Sequence, residues 1–155
     1  MKMYAAIMVR GLIGAKKDAK MAMRLMRLNK QNHLVLLPEN PSSAGTLEKV
    51  RSYITYGKIA NDVLAELVEK WARLQGDKKI DAEFLKKNKF GNFSGLADAL
   101  IDGKTSLAEL QIKPVFRLHA PSKGYERKGT KKPFSVGGAL GPRGDEINKL
   151  IMRMI

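Results

Sequence analysis

Lysine and arginine are the residue types of this chain whose spacing carries chemistry, and that chemistry is electrostatic. Between Ala15 and Leu28, Lys17, Lys20, Arg24 and Arg27 recur every three or four residues, which sets them on one face of a helix. From Pro121 to Gly144 the stretch PSKGYERKGTKKPFSVGGALGPRG holds Lys123, Arg127, Lys128, Lys131, Lys132 and Arg143 against one acid, Glu126. Tyr125 and Phe134 sit among these cations, the mixture that a polyanion with flat bases selects. With six glycines and three prolines, the stretch has little apolar surface to offset the entropy of ordering it. It is expected to be mobile alone and ordered by an RNA partner. A solvated basic linker has the same composition, so on these residues alone that alternative stays open.

A second phosphate-seeking pattern is Gly11-Leu-Ile-Gly14 followed by Ala15, Lys16 and Lys17. Glycines before a helix start let phosphates approach backbone amides, as in the GXXG clamp of KH domains, and Arg10, Lys16 and Lys17 add charge. A tight strand-to-helix turn produces the same spacing. The Lys-Ser/Thr ending of a nucleotide-binding P-loop is missing.

Catalysis finds little support. The two histidines, His33 and His119, fall at strand ends, and no HExxH, GxSxG or paired-carboxylate motif joins them. The absence of cysteine removes disulfides, thiolate-ligated zinc and thiol nucleophiles together. No enzyme activity, metal, cofactor or small-molecule substrate is expected.

The whole chain carries a formal charge of +14, a field that favours nucleic acid over other partners. The charge is uneven: residues 1–57 carry +7, 58–113 carry +1 and 114–155 carry +6. That pattern suggests a basic module, 1–57 and 114–155, interrupted by a nearly neutral insertion, 58–113. No apolar run reaches the roughly 18 residues a membrane span needs, and Arg10 breaks the N-terminal run short of a leader peptide. An intracellular home without membrane contact is expected.

The elements that must position the cations follow from periodicity. Met3 to Val9 reads as a strand, about Ala15 to Leu28 as a helix with Ala22, Leu25 and Met26 inward, and His33 to Leu37 as a buried strand stopped by Pro38. Thr46 to Tyr56 carries Leu47, Val50 and Tyr53 or Ile54 at helical spacing. The insertion reads as all helix, with a stripe from Ile59 to Leu74 including Trp71, then short helices over 81–87, 94–100 and 105–110. Pro114 to His119 alternates, placing Phe116 and Leu118 on one face and Arg117 and His119 on a wet, basic one. A closing helix over 145–155 buries Ile147, Leu150, Ile151 and Met154.

Beyond these patterns, AIMVRG at 6–11 and LMRLNKQNHLVLLPENPSSAGTLEKVRSYITYG at 25–57 strongly resemble the ribosomal large-subunit protein family L-thirty. The insertion, FRLHAP, GGALG and the terminal helix look like its long archaeal form, which is also similar to a eukaryotic large-subunit protein. The resemblance implies an α+β fold with a β-α-β-α-β core, a three-stranded ferredoxin-like sheet and a cytoplasmic, ribosome-bound protein. It further implies contact with the large rRNA, with the 5S rRNA near by, and with neighbouring ribosomal proteins. The contacts implied are the Arg10–Lys17 turn including Gly11 and Gly14, the helix face at Lys20, Arg24 and Arg27, and the cations of 121–144; Arg117, His119 and Tyr125 join them from the residue reading. Two other functions fit the pattern: an interaction module working through the insertion, and a free RNA-binding protein using the GXXG turn.

Overall fold

The computed structural model describes residues 3–88 and 90–155, with Ala82 described by its backbone alone. Met1 and Lys2, part of the stretch weighed as a leader, lie outside these. At the centre stands β1 (Met3–Met8), an apolar run with Ala5, Ala6, Ile7 and Met8 all buried. A strand with no polar side is stable only between two layers, and both layers are present. Ala5 and Ile7 point into one core cluster, Ala6 and Met8 into another.

After β1 come α1 (Lys17–Leu25), β2 (His33–Pro38), α2 (Pro41–Val50) and β3 (Ile54–Lys58). The chain continues as α3 (Asn61–Trp71), α4 (Ala82–Lys87), α5 (Phe93–Asp102), β4 (Val115–Arg117), β5 (Gly141–Pro142) and α6 (Glu146–Met154). The sheet order is β4-β2-β1-β3-β5, antiparallel throughout except for the parallel β3–β5 pair. The fold is α+β as expected, but the sheet has five strands rather than three.

The two extra strands have separate causes. β3 lies inside the stretch read as helix to Tyr56. Leu47, Val50 and Ile54 do share one core cluster, so their three- and four-residue spacing imitates a continuous helix. The helix instead begins earlier, with Pro41 at its first turn and the Asn40 side chain accepting from the Ser43 amide at 2.6 Å. It stops at Val50, after which Ile54, Thr55 and Tyr56, two β-branched residues and an aromatic, pair with Met8, Ile7 and Ala6 of β1. β5 is two residues long and carries no sequence signal of its own. Its approach to β3 requires Gly57, where a Cβ would lie 2.0 Å from the Gly144 carbonyl oxygen.

α1 and α2 cover one face of the sheet; α3, α5 and α6 cover the other. The stripe of the middle segment, including Leu64, Leu67, Val68, Leu96 and Leu100, joins Ala5, Ile7, Leu34 and Phe116 of the sheet in one cluster. That stripe is therefore consumed by the fold. Residues 105–110 do not extend beyond one turn. Ser106 and Glu109 cap each other reciprocally, but Gln111 adopts φ 55° and ends the turn at once. On α1 the buried face is Ala19, Ala22 and Met23, whereas Leu25, expected inward, is 79% exposed.

Candidate nucleic-acid interface

Strand register decides where the cations meet. β1 ends at Met8; Ile54, the start of β3, pairs with Met8, and Leu34, next to the start of β2, pairs with Ile7. β4 ends at the same level, since Arg117 pairs with His33, and Gly141 of β5 pairs with Thr55. Four connections therefore emerge at one end of the sheet: 9–16, 26–32, 51–53 and the long β4–β5 connection, 118–140. This end is the basic pole.

Almost every cation singled out from sequence belongs to these connections or to α1. Gly14, Lys16, Lys17, Arg24, Arg27, Arg117, His119, Lys123, Arg127, Lys128, Lys131 and Lys132 are exposed there, with Arg10, Gly11, Lys20 and Tyr125 half-buried. Arg117 reaches Asp77 at 3.8 Å. Among the described residues the other exposed and half-buried cations of this set have no carboxylate within ion-pair distance. Elsewhere Lys58, Lys70, Lys104 and Lys149 each sit on a carboxylate, while among the described residues Lys78, Lys79, Lys86 and Lys87, spread over the 58–113 segment among its nine acids, do not. At the opposite end of the sheet, Glu39 binds Lys58 at 2.7 Å and accepts from the Tyr4 hydroxyl at 3.2 Å, and Asp145 and Glu146 open α6. Unpaired positive charge concentrated at one end is the arrangement that attracts a polyanion.

The stretch 121–144 is folded onto the pole, not loose. Its keystone is Arg143, whose side chain is 2% exposed. The guanidinium donates to both carboxylate oxygens of Glu126 at 2.7 and 3.1 Å, to the Thr55 hydroxyl at 2.8 Å and to the Ala139 carbonyl at 3.1 Å. It also lies 4.5 Å from the Phe134 ring centroid. Burial would raise the Glu126 pKa, but the hydrogen bonds and the charges of Arg143 and Arg153 outweigh it and hold the carboxyl below its ordinary value. Backbone bonds tie the strap to itself, with Phe134 N–H to the Leu140 carbonyl at 2.7 Å and Leu140 N–H to the Lys132 carbonyl at 3.2 Å. Gly138 sits so close that a Cβ there would meet the Lys132 oxygen at 2.1 Å. Ala139 and Leu140 pack with Val9 and Tyr125 in a small apolar cluster. The sequence expectation of a strap without internal order fails because one buried guanidinium with four hydrogen bonds replaces the missing apolar area. Arg143 thereby leaves the set of surface cations. Tyr125 is also partly enlisted, its hydroxyl donating to Asn32 Oδ1 at 2.9 Å.

The glycine turn leads into α1 with Gly14 at φ 73° and Lys16 at the N-cap, a side chain that makes no capping bond. Among the described residues the first amides of the helix thus have no side-chain cap, and Lys16, Lys17 and Asp18 stand around them. Ile13 is fully exposed beside them, and Met21 and Leu25 are exposed along the same helix, so the basic face carries apolar spots. Trp71, expected in the core, is half-buried and meets the His119 ring edge-on at 4.8 Å. His33 has its pKa lowered by burial and then by Arg117 and Lys30, which favour its neutral form.

One feature of the pole has no counterpart in the sequence reading. A groove of about 500 Å³ lies between the end of β1, the α2–β3 turn and the strap, with Arg10, Arg51 and Lys131 around it. Arg51 went unassigned because its exposed place on a helix matches any solvated charge. Only the pairing of β3 with β1 brings it beside Arg10. Among the described residues no group of three or more His, Asp or Glu is placed to hold a metal, and no helix is long and apolar enough to cross a membrane.

Residues 4–54 match the family model described as ribosomal protein L30p/L7e. Over its full length the chain is 46% identical to large ribosomal subunit protein uL30 of Nanoarchaeum equitans, covering 100% of both chains. It is 43% identical to the protein of the same name from Methanococcus vannielii, over 98% of this chain and 99% of that one. With the Staphylothermus marinus uL30 it shares 43% identity over 99% and 98% of the two chains.

Proposed function

The chain belongs to the ribosomal protein L30p/L7e (uL30) family, and on that footing we propose that it is a structural constituent of the large ribosomal subunit that grips rRNA with its basic pole. The observation carrying the proposal is the collection of unpaired cations that α1 and the 9–16, 26–32 and 118–140 connections bring to one end of the sheet. Phosphate contacts by these side chains position the protein, while the glycine turn and the α1 N-terminus let backbone amides approach the RNA. The role is architectural: the protein neutralises phosphates where RNA segments converge, and it performs no chemistry. Its home is the cytoplasm, on the ribosome.

Residues 1–57 and 114–155 form the RNA-facing part, and 58–113 form the layer that stiffens the sheet behind it. An interaction module working through 58–113 is disfavoured, since the apolar stripe of that segment is spent on the shared core. The 5S rRNA is the second RNA that the family resemblance points to, and neighbouring ribosomal proteins complete the setting. The test is assembly: large subunits built with a protein in which Lys16, Lys17, Lys128 and Lys131 are changed to Gln. The proposal expects weaker incorporation and release at lower salt, with an unchanged melting profile of the free protein. Incorporation equal to that of the unaltered protein would overturn it.

A further inference from the structure

We propose that the groove at the basic pole receives a single extrahelical nucleotide of the RNA, its phosphate held among Arg10, Arg51 and Lys131 and its base laid on the apolar floor. This rests on the RNA-binding reading above and specifies what that RNA must offer. The volume of about 500 Å³ falls within the roughly 300–1,000 Å³ of pockets that enclose a small organic group. The three cations come from three different segments, so the site exists only in the folded protein.

Arg10 is aimed, not loose. One Nη donates to the Ser52 carbonyl at 3.3 Å and the guanidinium lies 5.5 Å from the Tyr53 ring centroid, leaving its other N–H groups for a phosphate. Lys131 has no ion-pair partner among the described residues, and Arg51 is held by one Nη on Glu48 at 2.5 Å, which leaves its other N–H groups for a phosphate. Pro133, Leu140 and Pro142 line the groove with apolar surface, and Ser52 and Ser135 lie at its edge. A carboxylate from a neighbouring protein would use the cations and leave the apolar floor empty. A nucleotide uses both, and RNA presents such units at bulges and junctions, where unstacked bases splay outward.

The experiment compares the full-length protein's affinity for a hairpin RNA carrying a one-nucleotide bulge with that for a fully paired hairpin of equal phosphate count. The bulged RNA is expected to bind about fivefold or more tightly, the least that one stacked base contributes. Ser135 is exposed, so Ser135→Trp fills the groove without disturbing the core and should abolish the preference for the bulged RNA. Lys131→Ala, a second variant at an exposed position, should reduce the preference. Ultraviolet cross-linking of purified large subunits, read by mass spectrometry, should join an unpaired nucleotide to the peptide spanning 133–143. Equal affinity for the two hairpins, or a cross-link to a paired nucleotide or a neighbouring protein, overturns the groove and leaves the pole standing. Salt-insensitive or absent binding to both RNAs overturns the pole as well.

Discussion

Replacing Arg143 by Met tests whether the strap over the pole is held by one buried cation. Methionine keeps an unbranched apolar stem against Phe134 but removes every bond the guanidinium makes. Breaking a buried ion pair by deleting one partner costs roughly 3–5 kcal/mol, because the other charge is left uncompensated. Here the low end applies: the Glu126 side chain keeps 20% exposure and retains Arg153 at 3.6 Å. A loss of about 3 kcal/mol, with a urea m-value of about 2 kcal/mol/M, lowers the unfolding midpoint by about 1.5 M. Single domains have roughly 5–15 kcal/mol in hand, so the variant still folds. Hydrogen exchange locates the damage, because the Lys128, Phe134 and Leu140 amides bond within the strap and should lose protection while the β1 and β2 amides keep theirs. A loss under about 1 kcal/mol would refute this reasoning, as would strap amides of the unaltered protein already exchanging at free-peptide rates.

Acid should act on the same cluster. The Glu126 pKa is depressed in the fold, so its contribution is fully present above its ordinary value of 4.5 and is lost as pH falls through the folded pKa. Urea midpoints of the unaltered protein should drop below that value, and Glu126→Gln should remove this part of the drop. Leu67→Ala, at a fully buried site shared by helix and sheet, should cost about 2–5 kcal/mol in one cooperative transition. Two resolved transitions would show that 58–113 folds on its own. Arg27 holds φ 63° just past α1, a conformation that costs a non-glycine residue about 1 kcal/mol. Arg27→Gly should therefore raise stability by about 0.5–1 kcal/mol while lowering the salt slope of RNA binding by about 0.7–0.9. Gain in both properties would remove Arg27 from the interface.

The centre of the fold was legible because β1 and the start of β2 are apolar on both faces and β4 alternates, with Phe116 and Leu118 buried and Arg117 and His119 exposed. β3 was not, since Ile54 continues the spacing of Leu47 and Val50 by accident of sharing their cluster. Nor was β5, whose pairing depends on a missing Cβ at Gly57 and a buried bond network at Arg143, both properties of tertiary approach. The strap exposes the limit of composition as a guide. Counting apolar residues in 121–144 omits Glu126, Thr55 and Ala139, which satisfy one guanidinium and order the whole stretch. Deleting that stretch would remove β5 and Arg143 together, so side-chain substitutions are the cleaner probe of its role in binding. The surface cations were visible as residue types, but their convergence was not. It is a consequence of strand register, which brings Arg10, Arg51 and Lys131 together from positions far apart in the chain.

The central claim is that RNA is held at the basic pole, and the most direct measurement is the salt dependence of binding to purified large-subunit rRNA. About six phosphates neutralised give a slope of log K against log salt of roughly −4 to −5, from about 0.7 to 0.9 per phosphate. Neutralising Lys16, Lys17, Lys128 and Lys131 should flatten that slope by about 3, whereas neutralising Lys86, Lys87, Lys104 and Lys149, away from the pole, should leave it unchanged. Equal slopes for the two variants, or a slope near zero for the unaltered protein, would contradict the account.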